Sequence, residues 1–126
     1  MAEPKDILII DDEKEFTDFM STFLESRGFS VRIANNGRDG LKRIEEKEPD
    51  LLVLDVRMPG MGGIEFYTKI CSPTKRAQYP VLILTGMEEL TDYFREIRVD
   101  GFMTKPVVVD VFLAKIEELL KSRKEI

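Results

Sequence analysis

Apolar residues along this chain fall into two kinds of pattern, short unbroken runs and spaced stripes. Ile7-Leu8-Ile9-Ile10, Leu51-Leu52-Val53-Leu54 and Val81-Leu82-Ile83-Leu84 are unbroken, and each runs into a polar residue: Asp11, Asp55 and Thr85. A continuous apolar run bounded by turn signals reads as a strand covered on both faces, as in a parallel sheet. Ser30 to Ala34 and Gly101 to Thr104 read as two further short strands, and Asn36-Gly37 as a turn. Between the runs lie stripes with helical spacing. Phe16, Phe19, Met20, Phe23 and Leu24 follow i, i+3, i+4, i+7, i+8, which predicts one apolar helix face, and Gly28 suits its left-handed end. Leu41 and Ile44 mark a second helix that ends before Pro49. Ile64, Tyr67, Ile70 and Cys71 mark a third, stopped by Ser72-Pro73, with residues 73–79 as a polar loop. Leu90, Tyr93, Phe94 and Ile97 predict a short fourth helix. Val109, Phe112, Leu113, Ile116, Leu119 and Leu120 predict a fifth, with Lys121 to Lys124 at its negative end.

Strand and helix therefore alternate five times, with no linker, repeat or low-complexity segment. Such alternation predicts an α/β fold: a doubly wound five-stranded parallel sheet with right-handed crossovers and helices on both faces. The expected strand order is 2-1-3-4-5, the flavodoxin-like arrangement, although periodicity alone does not set that order. The 126 residues are expected to form one domain, residues 1–126.

Composition narrows the function. A net charge of -5 argues against direct nucleic-acid binding, which needs a concentrated basic patch. No apolar run approaches the roughly 20 residues of a membrane span, and the N-terminus carries no signal-peptide pattern. The lone cysteine, Cys71, excludes an internal disulfide, fits a reducing cytoplasm, and reads as a small apolar filler. Histidine is absent. Any chemistry must then come from Asp, Glu, Lys, Thr or Ser.

In a doubly wound sheet the carboxyl ends of the strands converge on one crevice. This chain places Asp11-Asp12, Asp55, Thr85 and Lys105 there. Each has a plain explanation by itself: Asp11-Asp12-Glu13 as acids meeting a helix dipole, Thr85 as a strand residue before a turn, Lys105 as a solvated terminus. Their coincidence at one edge is harder to dismiss. Like-charged carboxylates about 4 Å apart repel by about 4 kcal/mol per pair at an effective dielectric near 20. Protons or a cation must neutralise them. An all-oxygen donor set without His or Cys points to a hard divalent ion, with Mg²⁺ the natural choice. Asp55 is then the best candidate nucleophile, forming an aspartyl phosphate. Lys105 would act as a point charge on one phosphoryl oxygen and the Thr85 hydroxyl would bond another.

At these residues the chain strongly resembles the receiver (CheY-like) domain of two-component response regulators, over essentially its whole length. The resemblance lies in Asp11-Asp12, in Asp55-Val-Arg-Met-Pro-Gly, in Thr85-Gly86, and in Phe102 followed by Lys105-Pro106. It implies that Asp12, Asp55 and the Arg57 backbone carbonyl bind Mg²⁺, with Asp11 assisting. It implies that Asp55 takes phosphate from a phosphohistidine on a sensor histidine kinase or phosphotransfer protein, a donor this chain lacks. It implies a cis Lys105–Pro106 peptide. It also implies a switch in which phosphate draws Thr85 inward and Phe102 rotates into the vacated space, reshaping the surface of the fourth helix, fifth strand and fifth helix for a downstream protein. Against that stands the plain reading of Phe102 as a core aromatic. Four departures accompany the match, one of them a segment between Thr85 and Lys105 that is slightly short for the family. Phe102 stands where tyrosine is common, so a switch there works by packing alone; Arg98 stands where a glycine is usual; Gly62 replaces a frequent aspartate. The Gly60, Gly62 and Gly63 cluster reads as a turn, since neither a dinucleotide nor a Walker pattern is present. Arg57 and Met87, two residues after Asp55 and Thr85, are expected to tune the phosphate's lifetime by restricting the attacking water. Tyr93, Phe94 and Phe112 are candidates for a phosphorylation-dependent homodimer face, with core packing as the rival role.

Other readings share the fold. An FMN carrier needs a hydroxyl-rich phosphate loop where this chain has Asp11-Asp12-Glu13. A haloacid-dehalogenase-type hydrolase pairs its nucleophile with an acid two residues on, where this chain has Arg57. A pseudo-receiver would lack one of the acids, the threonine or the lysine, and none is missing. The expected activity is a signalling switch, not an enzyme beyond its own phosphorylation and slow autodephosphorylation. A free-standing receiver and one excised from a longer regulator with an output domain both remain open.

Overall fold

The computed structural model describes residues 3–56, 62–71, 77–86 and 99–122. Its elements are β1 (Asp6–Ile10), α1 (Lys14–Ser26), β2 (Ser30–Ala34), α2 (Gly37–Glu46), β3 (Leu51–Asp55), α3 (Gly63–Ile70), β4 (Val81–Thr85), β5 (Gly101–Thr104) and α4 (Val109–Ser122). The helix expected around Leu90, Tyr93, Phe94 and Ile97 lies outside the described residues, as do Arg98 and residues 123–126. The sheet is five-stranded and parallel, as the alternation predicts, and its order β2-β1-β3-β4-β5 is the expected flavodoxin-like one.

Every residue of β1, β3 and β4 is buried, because alternate side chains feed two separate cores. Leu8, Leu52 and Ile83 point to the layer that holds Phe66 and Tyr67 of α3, with Leu41 and Ile44 of α2 packed against it. Ile7, Val53 and Leu82 point the other way, to Met20 and Leu24 of α1 and to Phe112 and Ile116 of α4. An unbroken apolar run is the signature of that two-sided demand.

Three expectations need correction. Phe19 is not part of the buried face of α1: it is 58% exposed, while Thr17, Met20 and Leu24 are buried. At 3.6 residues per turn Phe19 lies about 120° from the middle of that trio, with Phe16 and Phe23 at the margin. Asn36-Gly37 is the start of α2, not a separate turn. Asn36 is extended and its side chain accepts from the Asp39 amide at 2.8 Å, which caps the helix. The loop expected over 73–79 is not uniformly polar, since Ala77 and Tyr79 are buried in the core on the α3 side; residues 72–76 lie outside the described residues.

Two glycines are required where they stand. Gly28 has φ of 92°, and the Gly28 and Phe29 amides donate back to Glu25 and Leu24, closing α1 in a left-handed turn. At Gly40 a Cβ would meet Ile10 Cδ1 at 2.5 Å and the Phe66 ring at 3.1 Å. This glycine lets α2 approach both β1 and α3. Among the described residues no helix is long and apolar enough to cross a membrane.

Candidate functional site

The carboxyl edge of the sheet gathers the polar residues that end the apolar strands. Asp11 follows β1, Asp55 closes β3, Thr85 closes β4, and Lys105 follows β5. Main-chain bonds beyond the ladders hold these ends in line. The Asp11 amide donates to the Ala34 carbonyl at 3.0 Å, that of Val56 to Leu84 at 3.1 Å, and that of Lys105 to Thr85 at 2.9 Å. The last of these sets Lys105 directly beside the end of β4. The Lys105–Pro106 peptide is cis.

One carboxylate oxygen from each of Asp11, Asp12 and Asp55 lies within 4.8 Å of the others. Asp11 and Asp55 are buried and Asp12 is exposed, so the cluster opens to solvent on one side. Asp11 is held on every side: its Oδ1 accepts from the Glu13 amide at 2.9 Å, its carbonyl from Asn35 Nδ2 at 2.9 Å, and its Oδ2 from Lys105 Nζ at 2.7 Å. Lys105 Nζ also donates to Glu13 Oε1 at 2.7 Å and stands 3.6 Å from Asp55 Oδ2. Burial works against the Lys105 charge, but the bonds to Asp11 and Glu13 and the fields of Asp11 and Asp55 outweigh it and raise its pKa. The bond from Lys105, followed by its charge, pulls the Glu13 carboxyl below the usual range.

Carboxylates therefore outnumber the ammonium that meets them, and the donors are all oxygen. That donor set fits a hard divalent cation such as Mg²⁺, which takes carboxylate and carbonyl oxygens and keeps several waters. Thr85 is buried at the neighbouring strand end. Phe102 is half-buried, pairs in register with Ile83, and packs against the α3-side core. Thr85 has the parity of Val81 and Ile83, so Thr85 and Phe102 belong to one face of the sheet.

Asp11, Asp12, Asp55, Thr85 and Lys105 are thus brought to one edge, as expected from the strand ends. Arg57, with its carbonyl, and Met87 lie outside the described residues, and so do Tyr93 and Phe94. Phe112, the other candidate for a dimer face, is fully buried in the core. Two neighbours of the site were not singled out by strand-end reasoning. Glu13 stands at the N-terminal boundary of α1, where its side chain binds Lys105 and no helix amide, and the Phe16 ring lies under the same ammonium, its centroid 4.6 Å from Nζ. Helical spacing marks Phe16 as core; only the fold shows that its face serves a cation.

Fold and site together define a doubly wound α/β protein with an acidic pocket at the carboxyl edge of its sheet. The chain belongs to the response regulator receiver domain family, whose model matches residues 7–117. It is a receiver domain of the two-component response regulators, which sets aside the FMN-carrier and dehalogenase readings. The chain is 35% identical over 126 residues to the alkaline phosphatase synthesis transcriptional regulatory protein PhoP of Bacillus subtilis, covering 97% of this chain and 50% of that protein. It is 32% identical over 122 residues to the DNA-binding dual master transcriptional regulator RpaA of Synechocystis, covering 95% and 51%. The chain spans about half the length of these curated relatives. A CheY-like receiver domain protein of Methanospirillum hungatei superposes with a TM-score of 0.85 at 29% identity, covering 97% of this chain and 98% of that one. The response regulator TrrA of Thermotoga maritima, solved in complex with Mg²⁺ and BeF, superposes with a TM-score of 0.81 at 27% identity, covering 91% and 98%.

Proposed function

We propose that residues 1–126 form one receiver domain that works as a phosphorylation-dependent switch, with Asp55 as phosphoacceptor. The observation that carries this reading is the meeting of the Asp11, Asp12 and Asp55 carboxylates within 4.8 Å, with the Lys105 ammonium 3.6 Å from Asp55. The donor is a phosphohistidine on a sensor kinase or phosphotransfer protein. An Asp55 carboxylate oxygen bonds to phosphorus, the phosphorus–nitrogen bond breaks, and its electron pair returns to the imidazole. Lys105 balances charge on one phosphoryl oxygen and the Thr85 hydroxyl donates to another. Phosphoryl transfer asks mainly for such positioning and neutralisation.

Asp11, Asp12, Asp55 and the Arg57 carbonyl would hold Mg²⁺. When bound, it supplies the positive charge that lets carboxylates and phosphoryl oxygens share one pocket. The switch is the inward pull on Thr85, followed by Phe102, whose shared sheet face supports the coupling. Phosphate then shifts the populations of two conformers and alters the surface around β5 and α4 for a downstream protein or a second copy. Arg57 and Met87, two residues after Asp55 and Thr85 in the sequence, set how long the phosphate survives. The acidic net charge favours a protein target over direct nucleic-acid contact by this chain, and the lone cysteine fits the cytoplasm.

Incubation with Mg²⁺ and acetyl phosphate, followed by intact mass, tests the reading. Wild type is expected to gain one phosphoryl group and Asp55→Asn none. An equal gain in both would move the acceptor elsewhere.

A further inference from the structure

Lys105 is the cation that the phosphoryl group at Asp55 needs, yet its ammonium rests elsewhere. Nζ donates at 2.7 Å to Asp11 Oδ2 and at 2.7 Å to Glu13 Oε1, whereas Asp55 Oδ2 stands 3.6 Å away, beyond hydrogen-bond length. The Phe16 ring adds a third attraction, with its centroid 4.6 Å from Nζ, inside the range where a ring face draws a cation. An ammonium has three donors on a flexible stem, so two of the three are committed away from Asp55. Glu13 stands at the N-terminal boundary of α1 and Phe16 lies in its first turn, so this holding position is built on one regular element. The Glu13 side chain is 63% exposed. A pair that open contributes little to stability. It does decide where the lysine's charge sits.

We propose that Glu13 and Phe16 form a resting berth for Lys105, and that Glu13 is a positioning residue competing with phosphoryl oxygens for its ammonium. The inference rests on the phosphoacceptor reading of Asp55. Moving Nζ from Glu13 to the phosphoryl group gives up one charge-assisted hydrogen bond for another, so the berth slows capture of the phosphoryl group. The bond to Asp11 alone would not do this, because Asp11 lies in the same acidic cluster as Asp55 and leaves the lysine beside it.

Acetyl phosphate labelling in Mg²⁺, timed by intact mass, tests the berth in wild type, Glu13→Gln and Glu13→Asp, each measured both with Lys105 present and with Lys105→Met. Aspartate keeps the charge but is one methylene short of the reach. Both Glu13 variants are expected to label about three-fold faster than wild type, and neither to change the rate once Lys105 is gone. In unphosphorylated protein, the Lys105 Nζ proton signal in ¹⁵N-edited NMR is expected to be visible in wild type and to broaden in Glu13→Gln, as its charge-assisted bond to Glu13 is replaced by a weaker one to a neutral amide oxygen. Equal labelling rates, the same acceleration with and without Lys105, or an NMR signal unchanged by Glu13→Gln would overturn the berth while leaving Asp55 as acceptor. No phosphoryl gain on wild type would overturn both.

Discussion

The two edges of this sheet handle buried charge in opposite ways. At the amino edge Asp6 is fully served. Arg32 Nε and Nη2 reach its carboxylate at 3.0 and 2.6 Å, and the Asp6 amide donates to Asp50 Oδ2 at 2.7 Å. The same guanidinium donates to the Arg43 and Lys47 carbonyls at 2.8 Å each, closing the end of α2. Asp100 accepts from the Val81 amide at 2.9 Å. Acids there are matched by fixed donors of the chain itself. At the carboxyl edge Asp11, Asp12 and Asp55 crowd within 4.8 Å, and the ammonium among them is divided between Asp11 and Glu13. Among the described residues, the acids of one edge meet fixed donors, while the other edge gathers more carboxylates than ammonium groups. A satisfied buried network favours one rigid structure, whereas like charges held together favour a ligand.

The largest effect should come from breaking the completed edge. Arg32→Ala would leave the Asp6 carboxylate, 4% exposed, without its cation and take one donor from the Lys47 carbonyl and one from the Arg43 carbonyl, which keeps its bond from the Lys47 amide. Removing one partner of a buried pair strands the other in low dielectric, so a loss of about 3 kcal/mol is expected in urea unfolding. A loss below about 1 kcal/mol would mean that water or Lys47 replaces the guanidinium, and the contrast between the edges would weaken.

The amino side offers a pH test as well. Tyr79 is buried, and its pKa is pushed up to about 12, by burial first and then by the charges of Glu48 and Cys71. The neutral phenol is thus favoured in the folded state relative to an ordinary pKa of 10.0. Its contribution is fully present below pH 10 and is lost as pH rises from there toward 12, because only the unfolded chain ionises in that window. Stability followed from pH 9 to 12 should fall by about 2 kcal/mol more in wild type than in Tyr79→Phe. Parallel curves for the two proteins would show that the phenol ionises in place.

How much of this was legible in the chain depends on whether a residue answers to a periodic demand or to a tertiary one. Strands buried on both faces must be unbroken, so Ile7 to Ile10, Leu51 to Leu54 and Val81 to Leu84 announced the sheet and its polar ends. The order of strands is the expected flavodoxin-like one, which periodicity alone does not set. Phe19 departs from the expected face because five apolar residues at helical spacing span a wider arc than the sheet covers, and which edge stays dry depends on the neighbours. Tyr79 hides in a polar stretch because its burial comes from the α3 side and not from local pattern. Arg32 looks like one charge in a strand until β1 and the end of α2 close around it. Glu13 was visible as a third acid, yet its partner lies 92 residues away. No local rule links them.

The smallest effect should appear at the unbalanced edge, with the opposite sign. Asp12 is exposed, so its repulsion with Asp11 and Asp55 is softened by solvent, and Asp12→Asn in EDTA should stabilise the fold by about 1 kcal/mol or less. Mg²⁺ should reverse the ranking. At ten times its dissociation constant a ligand that binds only the folded state adds about 1.4 kcal/mol. Wild type should gain that, while Asp12→Asn, with a neutral amide oxygen in place of a carboxylate, should gain markedly less at the same concentration. The measurement is urea unfolding of both proteins in EDTA and across a magnesium series. The crossing of the two stabilities is the informative feature, because removing an acid from a merely decorative cluster would shift both conditions alike. If Asp12→Asn is destabilising without metal, the carboxylates at this edge are held by partners of the chain as firmly as Asp6 is, and the two edges do not differ in kind.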